Sequence, residues 1–141
     1  MRTVITVRHL ALLVAGLCWL AGTAGAQAAP ASTPDQAQRG EQVHARCLAC
    51  HALATDRVGP RHCGLLGRKA GTVAGADYSP AMKRAGLVWD ARTLDRFLAA
   101  PMRVVPGTTM TYDGVRDPQD RADLIAYLRA AGQDPQACPA R

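Results

Sequence analysis

The chain has 141 residues, room for one domain and not for two of ordinary size. Its 17 Lys and Arg against 11 Asp and Glu give a formal charge of +6, a bias too small to argue for nucleic acid. One phenylalanine and two tryptophans leave a core built mainly of Ala, Leu and Val, and so thin a core normally needs a staple or a cofactor.

In chain order, Arg2 and Arg8 precede an apolar run from Leu10 to Leu20, followed by the small residues AGTAGAQAA. This is the pattern of an export signal over residues 1–26, with cleavage after Ala26 or, as a close second, after Ala28. The alternatives are an uncleaved anchor and a lipoprotein through Cys18, the latter disfavoured by the bulky Leu17 before that cysteine. Removing the signal takes away two arginines and leaves a mature charge of +4, which suits an acidic protein partner or an anionic surface touched only peripherally. Residues 27–33 read as a flexible mature N-terminus, 34–132 as the domain and 133–141 as a tail.

Within the domain, Thr33-Pro34-Asp35-Gln36 has the form of an N-cap, a first-turn proline and a capping-box glutamine, opening a helix towards Cys47. The glycine-rich stretch from Leu53 to Tyr78 reads as loop. Ser79-Pro80 repeats the cap signal, with Gly86 ending a short helix. Asp90 caps a helix from Ala91 to Ala100 that Pro101 closes. Asp117-Pro118 starts the last helix, with an apolar stripe at Leu124, Ile125 and Leu128 and a stop at Gly132. The class is all-α, short helices separated by long loops, and loops of this length in a compact domain imply something for them to wrap.

Cys47-Leu48-Ala49-Cys50-His51 is C-x-x-C-H. Two thiols at this spacing can add across the vinyl groups of a haem, and the histidine after them can serve as an axial iron ligand. A thioredoxin-like pair would want a strand before the motif. A zinc site would need a second ligand pair, and a simple disulfide would have no use for His51. The other axial ligand is expected from Met110, at the end of the Pro106-Gly107 turn. Met82 and Met102 read as packing residues, and His62 as an exposed histidine.

The segments CLACH, GPRHCGLLGRKAG, DYSPAMKRAGLVWD, TLDRFLAAP, VVPGTTM and RADLIAYL occur in an order and spacing that resemble the class I c-type cytochromes, especially the soluble monohaem type close to mitochondrial cytochrome c. The resemblance runs from about Gly40 to Leu128. It implies one covalent haem c wrapped by the cytochrome c fold, with the Pro60 carbonyl directed at the His51 ring. It also implies that Arg68, Tyr78, Ser79, Trp89 and Thr108 surround the haem propionates, and that Gly40 lies where the first and last helices cross, against Leu124 and Leu128. The family fold brings Cys138 near Cys63, so a disulfide between them is expected, two free thiols being the alternative.

Several positions depart from the family. Phe97 stands where many relatives have a tyrosine whose hydroxyl bonds the methionine sulfur. His44 replaces an aromatic at the helix crossing, where a half-buried packing role is expected. Met102 and Thr109 replace lysines while Arg103 keeps a charge, and Tyr112 takes the place of an aromatic beside the haem edge. The resemblance implies a monomeric periplasmic electron carrier. Its donor would be a membrane quinol-oxidising complex, its acceptor a terminal oxidase, reaction centre or periplasmic reductase. A haem peroxidase or small-ligand binder is the alternative if Met110 is labile, and a tethered module of a larger complex if the N-terminal segment is retained.

Overall fold

The computed structural model describes residues 33–140. The export signal with its cleavage sites, Cys18, and residues 27–32 of the mature N-terminus lie outside the described residues.

Each helix starts where a short polar side chain can satisfy a free backbone N–H. Thr33 Oγ1 accepts from Gln36 N at 3.3 Å and opens α1 (Pro34–His44), which runs on into a 3₁₀ turn at Ala45–Cys47. Ser79 caps α2 (Pro80–Arg84) through Met82 N at 3.1 Å. Asp90 caps α3 (Ala91–Ala99) through Thr93 N at 2.6 Å. After α4 (Pro101–Val104), Asp117 caps α5 (Pro118–Gln133) by accepting from Gln119 N and Asp120 N. Proline follows the cap in α1, α2 and α5, where its missing N–H is not needed.

Two expectations need correction. Pro101 does not simply close a helix into a loop; Ala100, at φ −160° and ψ 78°, breaks the chain, and Pro101 then begins α4, so that Met102 lies inside a helix. Gly132 does not end α5, which continues to Gln133 with Asp134 beyond it. Its φ is not positive, so it never takes the left-handed form that would stop the helix.

No strand occurs among the described residues. An isolated antiparallel bridge joins Lys69 to Val88, flanked by Trp89 N to Arg68 O at 2.9 Å and Ala70 N to Leu87 O at 2.8 Å. These bonds tie the long loop to the segment before α3. No described helix is long and apolar enough to cross a membrane.

The main helix contact is the crossing of α1 over α5. A Cβ on Gly40 would overlap the Asp123 carbonyl and the Tyr127 Cβ, so only glycine lets the two backbones come so close. Beside it, buried Asp123 accepts from Arg39 Nε at 2.7 Å and from Gln119 Nε2 at 2.8 Å. The Arg39 bond, opposed by desolvation, holds the Asp123 carboxyl below the usual carboxylate range. Val43, Leu124, Ile125 and Leu128 complete a core that continues through Leu94, Phe97 and Trp89 to Met82.

The C-terminal tail folds back on α5. Cys138 N bonds Asp134 O at 2.8 Å, and Cys138 is joined to Cys63 as a disulfide with Cα atoms 5.4 Å apart.

Candidate functional site

The 3₁₀ turn, helices α2, α3 and α5 and the two long loops surround a cavity of about 380 Å³, within the range of small-molecule and cofactor sites. Cys47, Cys50, His51, Pro60, Arg68, Tyr78, Ser79, Trp89, Thr108 and Met110 all line it. Residues far apart in the sequence therefore converge on one space.

His51 leaves the 3₁₀ turn with its N–H on Cys47 O at 2.9 Å. Its Nδ1 lies 2.7 Å from the Pro60 carbonyl oxygen. A carbonyl can only accept, so Nδ1 is the donor, which leaves Nε2 as the ring nitrogen available to a metal. Gly59 makes this approach possible, because a Cβ there would run into the His51 ring. Gly59 N in turn bonds Cys50 O at 2.8 Å, so the motif and the segment that orients its histidine hold each other. Cys47 is half-buried and Cys50 exposed, neither in a disulfide, and burial pushes the Cys47 thiol up.

On the methionine side, buried Thr108 accepts the Met110 N–H through Oγ1 at 3.2 Å. The hydroxyl expected near the propionates thus also fixes the turn that presents Met110. Ser79 lines the cavity while its oxygen caps α2. Trp89 and Phe97 pack with ring centroids 4.9 Å apart, so the tryptophan belongs to both core and cavity wall. Met82 is buried, as a packing residue should be, but lines the cavity as well.

Arg68 supplies the test of what the cavity holds. Nη1 donates to Cys63 O and Nη2 to Arg61 O, both at 2.9 Å, yet Nε is buried with no partner. Burial lowers the pKa of this guanidinium. Arg68 lines the cavity, where an acidic group would stabilise its partly buried charge. Two thiols at vinyl spacing, an imidazole with its outer nitrogen free, a thioether and an arginine on one wall fit a haem with its propionates.

His62 departs from its expected place. It is not exposed: its ring stacks on His51 with centroids 4.4 Å apart and planes at 24°, and its Nδ1 lies 3.0 Å from His44 Nε2. Burial, helped by the nearby histidines and Arg68, lowers its pKa to about 3, so the ring is neutral. His44 is fully rather than half buried, at 3% exposure, and packs against Tyr127 of α5. Neighbouring Cys63 was the available signal, since a disulfide there draws its neighbour inwards. His44 alone gave no sign of it.

These features fit a protein that holds a covalently bound haem. Comparisons with known proteins agree. A family model described as Cytochrome c matches residues 37–132. Cytochrome c2 of Rhodomicrobium vannielii is 44% identical over 122 residues, covering 84% of this chain and 91% of that protein. Cytochrome c of Cannabis sativa is 40% identical over 100 residues, covering 68% and 90%. Among solved structures, cytochrome cH from Methylobacterium extorquens is 43% identical with a TM-score of 0.65, covering 67% of this chain and 97% of that one. The chain belongs to the cytochrome c family, with the all-α cytochrome c fold and one covalently bound haem c. It is an electron-transfer protein and not an enzyme.

Proposed function

We propose that the mature protein is a soluble, exported, monomeric one-electron carrier in the periplasm. His51 and Met110 are its iron ligands, and Cys47 and Cys50 carry the thioether bonds. The observation that carries this reading is the convergence of these four side chains on one cavity, with His51 already held in the tautomer a metal needs. The domain proper is residues 34–132, and the tail from 133 is pinned by the Cys63–Cys138 bridge.

Haem, when bound, supplies reversible one-electron chemistry. The chain does the rest. Pro60 orients His51 and raises its basicity as a ligand. Thr108 holds the Met110 turn. Arg68 offers its positive charge to a propionate, with Tyr78, Ser79, Trp89 and Thr108 around it. His51 and Met110 together would leave a bound iron no coordination site for a substrate, and this ligand pair would favour the reduced iron relative to two histidines.

Half-buried Tyr112 and strongly exposed Val58 line the cavity towards solvent, giving a small face for brief docking. The donor is a membrane quinol-oxidising complex, and the acceptor a terminal oxidase, photosynthetic reaction centre or periplasmic reductase. Carbon monoxide binding to the reduced protein tests the assignment. A carrier with both axial positions filled binds it negligibly at neutral pH; rapid binding would favour a ligand-binding or peroxidase role.

A further inference from the structure

Four rings lead from the helix crossing to the haem cavity. Tyr127 of α5 packs on His44 of α1 with centroids 5.1 Å apart. His44 Nε2 meets His62 Nδ1 at 3.0 Å, and His62 stacks on His51 at 4.4 Å and 24°. The Pro60 carbonyl fixes where His51 Nδ1 points and the Gly59 backbone lies close to the ring, but a hydrogen bond at one atom and a glycine without a side chain set the plane of the ring only loosely. A second ring laid on its face removes this freedom. His62 is itself clamped twice, by buried His44 and by the adjacent Cys63, which is bridged to Cys138.

We propose that His62 is a positioning residue for the haem ligand: held by His44 and the Cys63–Cys138 bridge, it lies against the His51 ring and sets its plane. The inference rests on His51 being the axial ligand. The plane of that ring sets the in-plane asymmetry of electron density on ferric haem, so the effect can be read spectroscopically without any assay of electron transfer.

The test uses the full haem-loaded protein and the variants His62→Ala, His62→Phe and His62→Leu. In His62→Ala, the haem methyl resonances of the ferric protein change their spacing. Solvent exchange of the His51 Nδ1 proton in the ferrous protein becomes roughly two- to tenfold faster, the worth of one ring pair. Phe, which keeps a ring on that face, restores both, whereas Leu restores stability and neither signal. An unchanged methyl pattern in His62→Ala, or equal rescue by Leu and Phe, overturns the proposal. Should the variants not fold, the wild-type ferrous spectrum decides, because the stack requires cross-relaxation between His62 and His51 ring protons and its absence excludes the role. Failure of the ligand assignment is separable: an unligated His51 would lack the strong upfield ring-current shift in that same spectrum.

Discussion

The α1/α5 crossing and the cavity wall are held together by opposite means. At the crossing the polypeptide is sufficient: Gly40 permits backbone contact, Asp123 has Arg39 and Gln119, and Leu124 and Leu128 are buried. At the cavity it is insufficient. Arg68 Nε has no partner, Cys47 and Cys50 are unbridged, and two long loops face a space their own side chains do not fill. The first region is specified by packing, the second by a group the chain must acquire.

The largest effect should come from removing the attachment itself. Cys47→Ser combined with Cys50→Ser yields a chain without covalent haem, seen by mass spectrometry, and with most of its helical circular dichroism lost. Retention of full helicity would mean that the crossing organises the fold alone. Next, Gly40→Val forces a side chain into the Asp123 carbonyl and destabilises by about 2–3 kcal/mol. This is measured as the denaturant midpoint, with the visible spectrum of the surviving folded protein unchanged. A changed spectrum would show that the two regions are not separable.

Asp123→Asn acts on the crossing through pH. Because Arg39 holds the Asp123 carboxyl below its ordinary value, the ionised form adds stability above about pH 4, the unfolded carboxylate range. That contribution is lost as pH falls through the depressed folded value. The stability gap between wild type and Asp123→Asn is therefore widest near neutrality and closes in acid, as urea unfolding across pH can check. Smallest is Thr108→Val, which deletes the acceptor of the Met110 N–H and costs about 1 kcal/mol in thermal unfolding, without removing the thioether from the iron.

The same division explains what could be read from the sequence. Thr33, Ser79, Asp90 and Asp117 were legible as caps because each bonds a backbone N–H only two or three residues ahead. C-x-x-C-H was legible because its chemistry is local. Pro101 was ambiguous in physical terms, since proline both ends a helix and begins one, and the break belongs to Ala100. His62 was misread because its burial depends on His44, on the His51 ring and on a bridge to Cys138, all remote or invisible to local pattern. The Lys69–Val88 bridge was missed for the same reason: one residue pair leaves no alternation to detect. Arg68 could be assigned to the haem edge by family resemblance, but its two carbonyl bonds and its one unpaired nitrogen are tertiary facts.

His51 and Met110 are proposed to bind the same iron from one cavity. The near-infrared spectrum of the ferric protein, in wild type and Met110→Ala, tests it most directly. Wild type is expected to show the weak sulfur-to-iron charge-transfer band, and the variant to lose it. A wild-type spectrum without that band would contradict it, because Met110 would then not bind the ferric iron.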